Sequence, residues 1–469
     1  MSLKAIYLII VSIISTYFIS PEYTQGVVGF PKTFYSINAQ TDSEKAISKI
    51  LFRGLVKYNE LGEIQPDLAE EVIASKDSKD YRIRLKNDIY FSNGQAITTD
   101  DVIFTLRLRP EFSDIVMQKI NSKIIEFRLP NELSSFPDLL TVGIVSNKDS
   151  FDNVFRPISS GYYQVISLNK LNDTVLSVKL RSTDKLKTKF NFIEIRFYDS
   201  YEKVAEAGTI GEINAFLSDS IFNSKIFSAK KYTVNGRFVG LYFNTKGLTA
   251  SNLELRKILS ADVPRQNIID KVFSGNALAY DKFYKGTKWS FEEATKLVQT
   301  DKDFGGIKLK LAYPNNQIYK KVVDELVQYW SKYNIKFEVN EVKIDEIENM
   351  FSEMQTHDGL LVGTEISRDP DQFAFWHSTQ NVLPGLNVSN YNSVRADTAL
   401  EEGRKVSAFD ERKIHYNVLQ ETLIQDVPAI PLYKPIYFFN YLKKYSFSDK
   451  SDLYTPVDQL YLFLINEDD

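Results

Sequence analysis

The sequence predicts an α/β chain of two or three domains, on three observations. At 469 residues it is longer than one ordinary hydrophobic core supports. Strand-like alternation and helical stripes succeed each other along the whole chain instead of falling into separate blocks, so the class is α/β, with α+β as the alternative. The clearest unit has Ile307, Leu309 and Leu311 alternating, then Ile318, Val322, Leu326 and Trp330 recurring as a helical stripe, then Ile335, Phe337 and Val339 alternating after Asn334. A strand–helix–strand of this kind makes a right-handed parallel unit with one helix face on the sheet.

The remaining elements follow in order. Ser43 to Phe52 reads as a helix stopped at Arg53-Gly54. Leu61-Gly62-Glu63 is a turn between two short runs, and Tyr81 to Leu85 alternates apolar and charged as a half-buried strand does. Phe91-Ser92-Asn93-Gly94 is a turn, after which Thr98-Thr99-Asp100-Asp101 opens a helix: a threonine oxygen can take free N–H groups and acids suit the positive end. Ile124 to Leu129 and Ile193-Ile195-Phe197 are strands, and Tyr201 to Ala207 is a helix ended by Gly208. Phe238 to Asn244 is a strand, Asn252 to Leu259 begins a helix, and Gly359 to Gly363 is a buried strand. Ile414, Val418, Leu419 and Leu423 form the stripe of a helix that stops before Pro428. There is no short-period repeat.

Composition narrows the function. Hydrophobic residues make 43% and charged residues 25%, a globular mixture. The 27 Tyr and 32 Phe suit a ligand cleft, where a flat ring with a polar tip is useful, and equally suit large cores. The net charge is -4 with no sustained basic block, which argues against nucleic acid as a partner. Without a cysteine there is no disulfide, thiolate metal site, cysteine nucleophile or lipid-modified cysteine. The three histidines, His357, His377 and His415, share no metal-ligand spacing, and no metal or cofactor is expected. At the N-terminus Lys4 precedes an uncharged run from Ala5 to Pro21, which orients the bulk of the chain outside the cell. The run reaches about 25 Å as a helix, marginal for a bilayer. Ile or Phe stands where a cleavage site wants small residues, so residues 3–21 read as an uncleaved membrane anchor, with a removed signal peptide as the alternative.

Six ordered stretches resemble one family. They are Gly54-Leu55-Val56-Lys57-Tyr58 with Ile64-Gln65-Pro66-Asp67-Leu68-Ala69-Glu70; Tyr81 to Leu85 with Ile89-Tyr90-Phe91-Ser92-Asn93-Gly94 and Thr99-Asp100-Asp101-Val102; Ser159-Ser160-Gly161-Tyr162-Tyr163; Leu241-Tyr242-Phe243-Asn244-Thr245 with Leu255-Arg256-Lys257-Ile258-Leu259; Arg368-Asp369-Pro370-Asp371 with Trp376-His377-Ser378; and Val427-Pro428-Ala429-Ile430-Pro431-Leu432. Together they look like the peptide- and nickel-binding class of extracytoplasmic solute-binding proteins of ABC importers, family 5. The resemblance implies a two-lobed periplasmic-binding-protein-like α/β fold whose lobes close on a ligand about a hinge. Lobe I would hold residues 23–245 with an inserted subdomain at about 58–150, lobe II residues 246–435, and residues 436–469 would return to lobe I. It implies a monomer that carries a peptide or similar solute to ABC permease and ATPase subunits.

The resemblance also suggests the ligand residues. Peptide binders of this family hold the ligand's ammonium with an acid four positions before the Pro of the Asp-Pro segment, which here is Ile366. Asp369 and Asp371 could substitute, as could the adjacent Glu365; Asp369-Pro370 equally suits a helix cap. Arg368 could pair a ligand carboxylate or be solvated, and Trp376 could be a platform or core. Gly161 and Tyr162 match the family's cleft-lining turn, and Asn387 and Tyr391 match the loop after the Asp-Pro segment.

No Gly-x-Ser-x-Gly, phosphate loop, dinucleotide fingerprint or His-Glu-x-x-His occurs, so no enzyme is expected. The carboxylate pair Asp369 and Asp371 leaves an anchored glycan-acting enzyme as a rival. A sensing protein could use the same fold, and so could a binder of nickel chelates or oligosaccharides.

Overall fold

The computed structural model describes residues 21–59, 62–285, 287–291, 302–344, 347–446 and 453–466. The anchor or signal expected at residues 3–21 lies outside them but for residue 21, as does Leu61 of the first turn. Among the described residues no helix is long and apolar enough to cross a membrane.

The chain packs as two compact units, one from Met1–Glu132, Phe136–Tyr232 and Tyr437–Asp469, the other from Leu133–Ser135 and Thr233–Ile436. The sequence reading puts the first change of lobe after Thr245. The first compact unit gives way to the second before the strand Arg237–Phe243, which pairs along its length with Gly359–Glu365, from Arg237↔Glu365 to Phe243↔Gly359.

In the first unit a mixed sheet runs in the order Ala215–Ser218, Tyr23–Val28, Phe192–Tyr198, Thr174–Ser182, Tyr163–Leu171. Tyr23–Val28 is parallel to Phe192–Tyr198 on one side and to Ala215–Ser218 on the other, and the C-terminal part of Ala429–Leu442 pairs antiparallel with Ala215–Ser218. Helix Tyr201–Thr209 starts at Ser200, whose hydroxyl accepts from the Lys203 N–H at 3.3 Å. It lies so close to the sheet that a Cβ on Gly26 would stand 2.9 Å from Val204. Helix Asp42–Leu51 opens with a capping box of Thr41 and Glu44. A separate antiparallel sheet, in the order Ala69–Ala74, Asp80–Leu85, Ile124–Arg128, Val116–Lys119, lies within the stretch 58–150. The alternation read in Tyr81 to Leu85 appears there as buried Tyr81, Ile83 and Leu85 between exposed arginines.

The second unit realises the strand–helix–strand reading. Lys308–Pro314 and Lys336–Val342 are parallel from Lys308↔Lys336 to Pro314↔Val342, joined by helix Gln317–Trp330. The sheet continues through Gly359–Glu365 and Arg237–Phe243 to the N-terminal part of Ala429–Leu442. It is covered on both faces: Leu361 packs with Leu309, Leu311, Leu326 and Trp330, while its neighbours Leu360 and Val362 pack with Trp376, Tyr416 and Leu419. A strand buried on both sides reads as a continuous apolar run, which is why Gly359 to Gly363 lacks alternation.

Two stripes differ from expectation. Ile318 is 41% exposed at the first turn of its helix, and the buried face is Val322, Val323, Leu326 and Trp330. In helix Phe409–Asp426, Ile414 is 64% exposed and Val418 half-buried; the buried face is Arg412, Tyr416, Leu419 and Leu423. The apolar pattern pointed to Ile414 because an arginine was not expected inward.

Candidate functional site

In open α/β sheets, ligands bind outside the carboxyl ends of the parallel strands, where helix N-termini and loop backbone converge. In the first unit this end carries Gly29 after Tyr23–Val28, Asp199 and Ser200 after Phe192–Tyr198, and Asp219 after Ala215–Ser218. Gly29, at φ +95, donates its N–H to the Tyr198 carbonyl at 2.7 Å. Tyr437, Asp219 and Asp42 each act on Tyr201 here. Burial first, then the Tyr437 phenol, Asp219 and Asp42, pushes the Tyr201 hydroxyl far above the ordinary tyrosine range, and the two rings lie 6.4 Å apart. Asp219 keeps solvent access, yet the surrounding wall holds its carboxyl above the ordinary range, Glu202 adding to this and Ser220 opposing it. An exposed carboxylate near a phenol can take a cation and hydrogen-bond its remaining protons.

The loop bordering this end is held by one buried side chain. Glu44 accepts from the Lys32 N–H at 2.8 Å, the Gln40 N–H at 2.9 Å and the Thr41 N–H at 3.0 Å. Burial works to raise its carboxyl, and the N–H donors of Thr41, Lys32 and Gln40 outweigh it, so it lies below the ordinary range. A depressed carboxylate adds stability that is present above the unfolded value of 4.5 and is lost as pH falls through the lower folded value. Glu44→Gln is expected to cost about 2 kcal/mol at neutral pH and to flatten the acid limb of urea-unfolding stability; an unchanged acid limb would contradict this.

The corresponding end of the second unit has Asn316 capping helix Gln317–Trp330, accepting from Ile318 at 2.8 Å and Tyr319 at 3.2 Å. The Tyr319 hydroxyl reaches the strand at Gly363, where a Cβ would meet it at 2.8 Å. Glu365 pairs with Arg237 at 2.6 Å. Ile366 is 4% exposed and packs in the apolar cluster around Trp376, so the position at which the resemblance implies an acid carries no charge.

The sequence-derived candidates fall into two groups. Those of the second unit are engaged within it. Asp369 receives both guanidinium arms of Arg412 at 2.7 and 2.8 Å and the Asp371 N–H at 2.9 Å. Asp371 receives Arg404 at 2.8 Å and Ser135 at 3.0 Å, and the Phe373 N–H at 3.1 Å. The short helix Phe373–Trp376 has Gln372 at its cap position, and the acids serve the turns before it. Trp376 is 1% exposed, donates to Gln372 at 2.8 Å and stacks on Tyr242. Asn387 donates to the His377 and Tyr391 carbonyls at 3.1 and 2.8 Å, and Tyr391 donates to Asp426 at 2.6 Å. Arg368 is half-buried. Among the described residues no three His, Asp or Glu side chains gather to hold a metal.

Gly161 and Tyr162 sit elsewhere in the first unit. A Cβ on Gly161 would stand 2.5–2.6 Å from the Ile50–Phe52 backbone, at the C-terminus of helix Asp42–Leu51. That helix is about 15 Å long and its N-terminus lies at Gly29, so the Gly161 turn is separated from the strand carboxyl ends by its length. Both residues line a cavity of about 1240 Å³, where Arg53 pairs with Asp67 at 2.9 Å and lies over the Tyr162 ring at 5.1 Å. Sequence reasoning missed Asp219, Tyr201 and Tyr437. The usable signal was positional: the strand at Ile193 to Phe197 and the helix at Tyr201 were both legible, and the junction between them is a strand carboxyl end.

The family model described as Bacterial extracellular solute-binding proteins, family 5 Middle, matches residues 63–381. The chain is 23% identical over 493 residues to the oligopeptide-binding protein AppA of Bacillus subtilis, covering 92% of this chain and 89% of that one. The structure of AppA from Bacillus subtilis in complex with a nonapeptide superposes at a TM-score of 0.72, with 18% identity, over 96% of this chain and 100% of that chain. That of NikZ from Campylobacter jejuni with Ni(L-His) superposes at 0.75, with 19% identity, over 95% and 99%.

Proposed function

Since this chain belongs to the family 5 bacterial extracellular solute-binding proteins, we propose that it is the extracytoplasmic substrate-binding component of an ABC importer, that it binds peptides, and that it delivers them to a permease. The observation that carries this is the family match over residues 63–381, joined by likeness to an oligopeptide-binding protein along nearly the whole of both chains. On this reading the protein acts without chemistry on its ligand, as a monomer tethered by residues 3–21, and the two compact units are the family's two lobes.

A peptide brings a cationic amine, and the resemblance's usual acid position is a buried Ile366. Asp369 and Asp371 already serve Arg412 and Arg404, so we assign the ammonium to Asp219 at the carboxyl ends of the first unit's strands, with Tyr201 near it. Asp219→Asn is expected to weaken peptide binding about 10–100-fold, the worth of one charge-assisted hydrogen bond. Because the Asp219 carboxyl lies above the ordinary range, wild-type affinity should fall on acidification before an ordinary aspartate would titrate, and the variant should lose that dependence. Calorimetric titration with short peptides across pH checks both; equal affinities would remove Asp219 from the site.

The apolar Ile366 also favours one second reading, a ligand without a free amine such as a metal chelate. Native purification, unfolding and mass spectrometry of the released molecules decide between them. A ladder of short peptides supports the peptide reading; a single metal-binding compound overturns it in favour of the second.

A further inference from the structure

The cavity beside Gly161 opens at the end of the first unit opposite the strand carboxyl ends, since Asn191 and Phe192, which begin the strand Phe192–Tyr198, form part of its wall. Its charge is unlike that of the chain. Six cationic side chains line it, Arg53, Lys57, Lys86, Arg181, Lys185 and Lys187, against three carboxylates, Asp67, Asp88 and Asp184. Six less three leaves an excess of three positive charges, on a protein whose net charge is -4. The cations are close enough to act on each other: the Lys86 ammonium is held below its ordinary range by burial first, then by Arg53, with Lys57 and Lys187 adding and Asp67 opposing.

Position indicates what the charge is for. Asn191 in the wall donates its N–H to the Glu22 carboxylate at 2.9 Å, and Glu22 donates its own N–H to the Phe192 carbonyl at 2.9 Å. In sequence, Glu22 directly follows the uncharged run from Ala5 to Pro21, the segment with membrane character. The basic wall therefore adjoins the point where the folded unit meets that segment. A volume of about 1240 Å³ is far more than a free phosphate ion needs.

We propose that this cavity is a docking site for the phosphodiester headgroups of anionic phospholipids, which holds the first unit in a fixed orientation on the bilayer. On the reading of residues 3–21 as a membrane anchor, the clustered Lys and Arg beside it are attracted to anionic lipid, and the attraction decays within a Debye length, so this basic wall is drawn in. The proposal is independent of which solute the protein carries.

The test uses the full chain in nanodiscs of phosphatidylcholine alone or with about 30% phosphatidylglycerol, with lysine acetylation rates read by mass spectrometry. Phosphatidylglycerol should slow acetylation of Lys57, Lys86 and Lys187 at least about fivefold and leave Lys320 and Lys332 of the second unit unchanged. In an Arg181→Glu/Lys185→Glu variant the protection should fall by at least half. Equal rates in the two kinds of disc overturn the proposal. So does equal protection by inorganic phosphate added to phosphatidylcholine discs, which would make this a free-anion site, or protection of the second unit's lysines to the same extent, which would make the effect one of general surface charge.

Discussion

Replacing Arg412 by Met is expected to destabilise the protein by about 3–5 kcal/mol, because the substitution leaves the Asp369 carboxylate buried without its partner. The two side chains are 7% and 9% exposed, and the bidentate contact is at 2.7 and 2.8 Å. Arg412 also donates to the Gly403 carbonyl at 3.3 Å and to the Tyr416 hydroxyl at 3.2 Å, and its guanidinium lies over the Trp289 ring at 5.3 Å. The methionine keeps most of the stem packing, so the loss reports the charge. Removing the partner too should restore much of it: Asp369→Asn/Arg412→Met is expected to recover at least about half the loss, since an amide has no charge to strand. Urea unfolding of the single and double variants measures this. A single-variant loss under about 1 kcal/mol would mean that Asp369 finds water or another cation, which would return it to the candidates for a ligand amine.

Gly161→Ala is expected to cost about 3 kcal/mol, at the upper end for forcing volume into a packed site. The new Cβ would stand 2.5 Å from the Leu51 carbonyl carbon and 2.6 Å from both the Ile50 oxygen and the Phe52 nitrogen. All three are backbone atoms of a helix end and cannot rotate aside as a side chain would. The same contact is held by hydrogen bonds, from the Gly161 N–H to the Leu51 carbonyl at 2.8 Å and from the Tyr162 N–H to the Ile50 carbonyl at 3.1 Å. If the glycine instead served only to let a ligand approach, the variant would keep its stability and lose affinity. Thermal unfolding alongside peptide titration separates the two roles, and a stable variant with weakened binding would overturn the packing account.

The limits of sequence reading show at particular residues. Thr98 and Asp101 form the capping box that opens helix Thr99–Arg107, and the signal for it was four adjacent residues. The strand–helix–strand from Lys308 to Val342 was legible for the same reason, since its apolar spacing repeats the geometry of each element. Ile414 failed because spacing alone could not tell an apolar residue on the solvent face from an arginine turned inward to meet a carboxylate 43 residues away. Spacing could not decide whether Trp376 is a platform or core, nor how far Asn387 and Tyr391 are buried; each is at most 3% exposed.

By itself the sequence determined the alternation of strands and helices, the buried strand at Gly359, and the family, through ordered motifs that the match over residues 63–381 supports. Those properties reside in local periodicity and short chemical patterns, which survive in one dimension. Only the tertiary structure decided which carboxylates are paired and which stand exposed: Asp369 with Arg412, Asp371 with Arg404, Arg53 with Asp67, and Asp219 near Tyr201. A charge's partner is set by where distant segments meet, and its role by how much water and opposite charge that meeting leaves to it.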